Sequence, residues 1–380
     1  MQNLIIKILL LMAIFFMSNA YALEIYKDDQ NSVALRGFFS GLYINSDTSD
    51  EISDAGSRWG IDYTRAIEND WTVGLTLEWG LNFENNKNFT LNGSNQAPQG
   101  SSDDVMFARL GYISFSHDDY GTIGIGKQWA AYFDATAGTD VFNYWVNLGS
   151  GAFNLNSDGG ISGTGRAEQS IVWRKTYGNL KLAAQVQAKD EPVVLELDPN
   201  SPGFGLLNGE TIATVGNGYG FSAMYAWQNF TLGFGHNNNE IELAPIVGGG
   251  SEDDVISAVS LTYGTFGTVG FYASAMAAQS ENHEIDNTGR YFDALGSEFV
   301  LRYQFDSGFA PYVGFNRVEE DDSSYLGEYE FHVNIIGADY LLQNLHAKLF
   351  AEVAIHDTTY SLGNEFDETE FVIGATFFLF

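Results

Sequence analysis

Residues 71–83, "WTVGLTLEWGLNF", place an apolar side chain at every second position. Trp71, Val73, Leu75, Leu77, Trp79, Leu81 and Phe83 fall on one side. Thr72, Gly74, Thr76, Glu78, Gly80 and Asn82 fall on the other. Period-two alternation gives a β-strand one apolar face and one wet face. At about 3.3 Å per residue the stretch spans roughly 43 Å, far beyond the usual strand of about 5–6 residues. A soluble sheet rarely has so tall an apolar face to cover, and aromatics near both ends of the face need a reason too.

The pattern recurs along the chain. Leu345, Ala347, Leu349, Ala351, Val353 and Ile355 alternate with His346, Lys348, Phe350, Glu352 and Ala354. Residues 180–188 and 299–305 behave alike, whereas "FVIGATFFLF" at the C-terminus is apolar on both faces and the phase over Phe309–Phe315 is ambiguous. Tight-turn signals of Gly, Asn and Asp stand at 68–70, 119–121, 177–179, 228–229, 264–267, 306–308 and 343–344. Longer polar segments fall between them, near 46–55, 84–103, 129–165, 190–217, 239–253, 280–293, 319–327 and 357–367. Short and long connections alternate strictly, which implies sixteen antiparallel strands with all tight turns at one end. A transmembrane β-barrel has this form: apolar outward face, aromatic girdles, small and polar residues inward, short turns on one side. Closure follows because an open sheet edge in hydrocarbon leaves backbone groups unpaired. Sixteen strands enclose an aqueous channel. A soluble sandwich or β-helix also alternates, but it has no need of tight turns at a single end.

The N-terminus reads as an export signal. Lys7 precedes the apolar run Ile8–Met17, and Ala20-Tyr21-Ala22 forms a cleavage box, with Ser18-Asn19-Ala20 as an alternative. We take residues 1–22 as the signal peptide and 23–380 as the barrel. No later apolar stretch reaches the roughly 20 residues of a spanning helix. Cysteine is absent, so neither disulfides nor thiolate chemistry contributes. With 17 basic against 49 acidic residues the net charge is −32, which disfavours nucleic acid as a partner.

Two groups of residues carry the functional expectation. The long segment 129–165 contains "FDATAGTDVFNYWVNLGSGAF", too apolar to stand in water and suited to folding inward as a constriction. From the strand phases, Arg36, Arg58, Glu78, Arg109, Arg166 and Arg174 face the lumen, and charged rings of this kind select ions in pores.

The sequence resembles the general diffusion porins, the trimeric 16-stranded outer-membrane family of Gram-negative bacteria. "EIYKDD" is similar to the family's mature start, "SRWGIDYTRAIENDWTVGLTLEW" to its second and third strands, and "GTIGIGKQWAAYFDA" to its fifth strand and the start of the constriction loop. The terminal Phe380 matches the aromatic that the barrel assembly machinery reads. The resemblance implies passive diffusion of small hydrophilic solutes, a homotrimer, and contact with outer-membrane lipid and lipopolysaccharide. It sets Arg58, Arg109 and Arg166 on the wall arginine cluster, Glu78 beside them, and Asp140 on an acid of the inward loop. The chain departs from the family where Tyr144 replaces the loop's glutamate, where the Pro-Glu-Phe-Gly-Gly stretch is missing, and where Phe38 replaces a wall lysine. Two carboxylates against three arginines favour anions locally, while acidic loops at the mouth favour cations.

Other functions have weaker signals. A solute-specific channel for sugars or anions needs lumenal aromatics in line, for which Phe38, Tyr144 and Trp145 are candidates. A barrel-borne hydrolase needs a base, and six histidines are present, but no G-x-S-x-G motif stands out. No cofactor motif occurs. Acidic clusters at Asp47/Asp50/Glu51/Asp54, Glu252/Asp253/Asp254 and Glu319–Asp322 suit Ca²⁺ or Mg²⁺ at the outer loops, bridging to lipopolysaccharide, or serve as solvated carboxylates.

Overall fold

A computed structural model describes residues 22–46, 50–81, 105–145, 148–154, 157–194, 208–286, 290–321, 329–361 and 363–379. The export segment (except Ala22), Asp47, Phe83, Asp322 and Phe380 lie outside the described residues.

Twenty-one strand segments form one antiparallel sheet, and they make sixteen strands. These are β1 (Asn31–Asn45), β2 (Asp50–Asp54 and Arg58–Ala66), β3 (Thr72–Leu81), β4 (Met106–His117), β5 (Gly121–Trp129) and β6 (Arg166–Tyr177). They continue as β7 (Leu180–Gln187 and Glu191–Val194), β8 (Thr211–Trp227), β9 (Phe230–Leu243), β10 (Gly250–Tyr263) and β11 (Gly270–Ile285). The last are β12 (Tyr291–Gln304), β13 (Phe309–Glu320), β14 (Glu330–Leu342), β15 (Ala347–His356 and Thr358–Tyr360) and β16 (Asn364–Phe366 and Thr369–Phe378).

The sheet closes on β1. One edge of β1 pairs with β2, from Asn31↔Arg65 to Asn45↔Asp50. The other pairs with β16, from Phe38↔Phe378 to Asn45↔Phe371, and the N-terminal segment Leu23–Lys27 continues that line alongside Ser32–Leu35. Both edges are thereby filled, as a sheet surrounded by hydrocarbon requires.

The strand phases follow the sequence. On β7, Ala183, Gln185 and Gln187 are buried inward while Ala184 and Val186 are exposed outward. On β12, Val300, Arg302 and Gln304 face in, and on β15 Phe350, Glu352 and Ala354 do. The ambiguous stretch of β13 resolves with Ala310, Tyr312 and Asn316 inward. Each of the seven tight turns contains a residue in the left-handed region. Asn69 and Asp70 both have φ 59°, the conformation that selects Asn, Asp and Gly in short hairpin turns. Aromatics collect beside these turns. Trp71 stacks on Tyr120 at 5.9 Å, and Trp227 on Phe230 at 6.2 Å. Toward the other end Trp59 stacks on Trp79 at 4.8 Å, a contact worth about 0.5–1.5 kcal/mol beyond area burial.

The long connections are shorter than the polarity of the sequence suggests. β9 and β10 stay paired up to Leu243↔Gly250, through Asn239↔Asp254 and Glu240↔Asp253, so 239–253 is mostly strand. β11 and β12 likewise cover most of 280–293, and β7 and β8 cover the ends of 190–217. Beyond the apolar belt water meets the outer face, alternation disappears, and backbone pairing continues without it.

Candidate pore lining

The connection between β5 and β6 begins with the short helix α1 (Ala131–Thr136), whose residues are buried apart from half-buried Asp134. The segment is fastened to the inward face of the wall over many strands. Ala131 N donates to Gln185 Oε1 of β7 at 2.9 Å, and Ser260 Oγ of β10 donates to the Ala135 carbonyl at 2.5 Å. His283 of β11 contacts the Gly151 carbonyl through Nε2 at 2.7 Å and Asp254 through Nδ1 at 2.6 Å. Ser150 N donates to Glu298 Oε1 of β12 at 2.8 Å.

Farther round, Glu352 of β15 accepts from Asn143 N at 2.6 Å, Tyr144 N at 3.1 Å and Tyr312 Oη at 2.7 Å. The Asn143 amide also donates to Asp339 Oδ1 at 2.8 Å, and Lys348 donates to its oxygen. Tyr144 and Trp145 pack ring edge to face at 4.6 Å in a cluster with Leu42, Ile44, Phe331 and Val372. Apolar inward residues on β1 and β14–β16 thus have a partner in the apolar part of this segment.

Opposite the segment stand the charged residues. Glu78 of β3 receives Arg109 Nε at Oε1, 2.8 Å away, and Arg36 at Oε2. Arg36 Nε also donates to Asp62 Oδ2 at 2.8 Å, and Thr76 Oγ1 donates to the other oxygen of Asp62 at 2.9 Å. Arg58 lies over the Phe38 ring at 4.6 Å and is within electrostatic reach of Arg109, Glu78, Arg166 and Asp140. Arg166 pairs with Asp158 at 3.1 Å, which also takes Lys127 at 2.9 Å, with Glu168 3.8 Å from the same lysine.

Asp140, half-buried after the 3-10 turn Ala137–Thr139, interacts with Arg58, Arg166 and Arg109 from across the gap. The surrounding protein pushes the Asp140 carboxyl up, and the pull of the arginines does not fully offset it. Burial acts the same way on Asp158, but there Arg166 and Lys127 outweigh it and hold the carboxyl below its usual range.

The five residues expected at the constriction, Arg58, Glu78, Arg109, Asp140 and Arg166, thus come together. Arg36 joins them through Glu78. Arg174 does not: it binds Asp134 of α1 at 2.7 Å and the Trp129 carbonyl at 2.7 Å, so it anchors the start of the segment. Tyr144 turns toward the wall cluster instead of the gap. Asp62, Lys127, Asp158 and Glu168 were not singled out from the sequence. Asp62 shares the inward phase of Arg58 on β2 and was findable; Asp158 lies in a loop that carries no phase.

Several acids proposed for divalent cations are engaged otherwise. Asp254 pairs with His283, Glu320 with Arg290 at 2.7 Å, and Glu319 with His332 at 2.9 Å. Among the described residues no three His, Asp or Glu side chains are grouped to hold a metal ion. Among the described residues His236 Nδ1 lies 2.9 Å from Ser257 Oγ, and the pair faces outward.

The sequence matches the Gram-negative porins over residues 10–380. The chain belongs to that family. Outer membrane porin N of Escherichia coli (strain K12) is 26% identical over 321 residues, covering 81% of this chain and 78% of the relative. OmpF of Salmonella typhi, solved with daunomycin, has the same fold at a TM-score of 0.71 and 19% identity, covering 94% of this porin and all of that chain. OmpT of Vibrio cholerae, solved in a trimer form, matches at 0.62 and 14% identity over 92% of this porin and all of that chain. The porin is a closed 16-stranded barrel of the Gram-negative outer membrane, and it conducts by diffusion without catalysis.

Proposed function

We propose that this porin is a general diffusion pore for small hydrophilic solutes and ions, constricted by the segment 129–165 against the arginine face of β2, β4 and β6. The observation that carries this reading is Asp140 opposed to Arg58, Arg109 and Arg166 across the gap. A transverse field of this kind orients polar solutes, while weakly interacting walls let them leave. The sugar- or anion-specific reading loses two of its three aromatics, because Tyr144 and Trp145 are 6% and 1% exposed and Phe38 lies beneath Arg58. Liposomes containing the porin should admit sugars at rates that fall smoothly with size. A saturable rate for one sugar would refute general diffusion.

A homotrimer fits the outward surface. β3 stays apolar from Val73 to Leu81, and beside it Leu35, Phe39, Trp59, Leu81 and Leu379 line a shallow apolar groove of about 320 Å³. Such a face suits another subunit, and cyclic symmetry is the usual solution. Unheated protein should migrate in mild detergent at about three times the heated mass; a monomer by light scattering would refute it. The signal peptide 1–22 is consistent with wall pairing that begins at Leu23.

A further inference from the structure

The first stretch of the segment after β5 lies flush on the wall. A Cβ added at Gly233 of β9 would meet the Ala135 carbonyl oxygen at 3.0 Å, and one at Gly235 would meet Tyr132 at 3.1 Å. Gly138 makes the last such contact before the chain reaches Asp140. It sits inside the 3-10 turn Ala137–Thr139, and its φ is not left-handed, so conformation alone does not require glycine there. Space does. An added Cβ would stand 2.6 Å from Thr262 Oγ1 of β10 and 2.6 Å from Ser274 Oγ of β11. Those two residues are partners across the strands, and their hydroxyls bond each other at 2.9 Å. Together they form a seat that a bare Cα can approach and a side chain cannot.

The turn is tied down on both sides of that contact. Tyr272 of β11 donates from Oη to the Gly138 carbonyl, and Thr139 Oγ1 donates to Glu298 of β12. The Tyr272 ring is itself held, meeting the Phe266 ring edge-on at 5.4 Å. Asp140 N closes the turn onto the Ala137 carbonyl at 3.2 Å, so the carboxyl follows wherever Gly138 is held. Within electrostatic reach of that carboxyl are Arg58, Arg166 and Arg109 across the gap, with Glu298 and Tyr272 on its own side.

We propose that this seat sets the width of the gap. Gly138, Tyr272, Thr262 and Ser274 are positioning residues that fix how far Asp140 stands from the arginine face, a role that rests on Asp140 facing the ion path. A turn pushed off the seat moves into the lumen, which narrows the passage and brings the carboxyl toward the arginines. Closer opposite charge favours the ionised form, so Asp140 then takes its proton at a lower pH.

Planar-bilayer recording at 1 M salt, with reversal potentials followed as the pH is lowered, tests this. Gly138→Ala should lose conductance and move the midpoint of the titration down, with no charge altered. Tyr272→Phe, which removes only a hydroxyl, should shift the midpoint the same way. Adding Thr262→Ala and Ser274→Ala to Gly138→Ala clears the room that the Cβ needs and should restore both readings. Asp140→Asn separates the seat from the placing of Asp140 in the gap. A titration that persists in Asp140→Asn refutes both. A titration lost in Asp140→Asn but unmoved in Gly138→Ala, or in Tyr272→Phe where Gly138→Ala does not assemble, refutes the seat alone. So does an assembled triple variant that keeps the readings of Gly138→Ala.

Discussion

Arg109 reaches Glu78 because it is the extra residue of a β-bulge. Glu78 pairs with Leu110 and Trp79 with Ala108, which leaves Arg109 without a partner in the ladder. Arg109 and Leu110 are both buried inward, and Nε of Arg109 donates to Oε1 of Glu78 at 2.8 Å. Bulges of this kind re-aim a side chain at functional positions. Here the bulge adds a cation to the wall without altering the lipid-facing phase below it, where Ile113 and Phe115 stay exposed.

Arg109→Gln should therefore act on ions. Glu78 keeps Arg36 as a partner, so the barrel should still assemble, with the heat-modifiable band intact. One positive charge disappears from the gap, and reversal potentials in a salt gradient should shift toward cations. An unchanged reversal potential would place Arg109 away from the ion path.

Glu352 should control how still the segment that follows β5 is. Its carboxylate takes two backbone donors, Asn143 N and Tyr144 N, along with Tyr312 Oη. Glu352→Ala leaves those donors without it, at a cost of about 1–3 kcal/mol for each buried group that finds no water. Single-channel records should then show faster flicker and a broader conductance distribution. Asn143→Ala keeps the backbone donors and should give a milder effect. Quiet channels of wild-type conductance in both variants would mean that the contact holds nothing in place.

Topology is testable because the chain lacks cysteine. Asn69→Cys, Asn179→Cys and Asn344→Cys lie in tight turns and should resist an impermeant thiol reagent on intact cells. Asp321→Cys, exposed beyond β13, should label. The reverse pattern would invert the barrel in the membrane.

What the sequence disclosed and what it hid divide along physical lines. Lipid imposes a strict phase, so the inward positions of Gln185, Arg302 and Glu352 were readable from alternation alone. Above the belt water replaces lipid, and strand pairs such as Asn239↔Asp254 lost their signature. The inward positions of Arg58, Glu78, Arg109 and Arg166 follow from phase and family resemblance, but the bulge that aims Arg109 depends on pairing with another strand. Tyr144 was expected to face the gap, and the sequence does not say that its N–H is held by Glu352; nor does it say that Arg174, inward as expected, is paired with Asp134. Nor does it show that Glu298 and Glu352 bind loop N–H groups, since such donors have no side-chain pattern.

Ion selectivity combines these elements. Counted from the sequence, two carboxylates faced three arginines and the gap favoured anions. The structure brings in Asp62, Asp158 and Glu168, together with Arg36 and Lys127, so five acids face five bases. A balanced gap leaves the decision to the acidic mouth, whose potential extends about 10 Å at 0.1 M salt and about 3 Å at 1 M. We expect cation preference at low salt that fades toward zero at 1 M. Lowering the pH should then separate the gap from the mouth. Asp140 is pushed up while Asp158 is held down, so Asp140 takes a proton before Asp158. Protonation removes a negative charge from the gap, and at 1 M salt the reversal potential should move toward anions with a midpoint above the ordinary aspartate range. Asp140→Asn should show that displacement already at neutral pH and lose the titration step. Glu319→Gln should change selectivity only at low salt. A midpoint at or below the ordinary range, or an identical titration in Asp140→Asn, would mean that Asp140 does not stand where the ions pass.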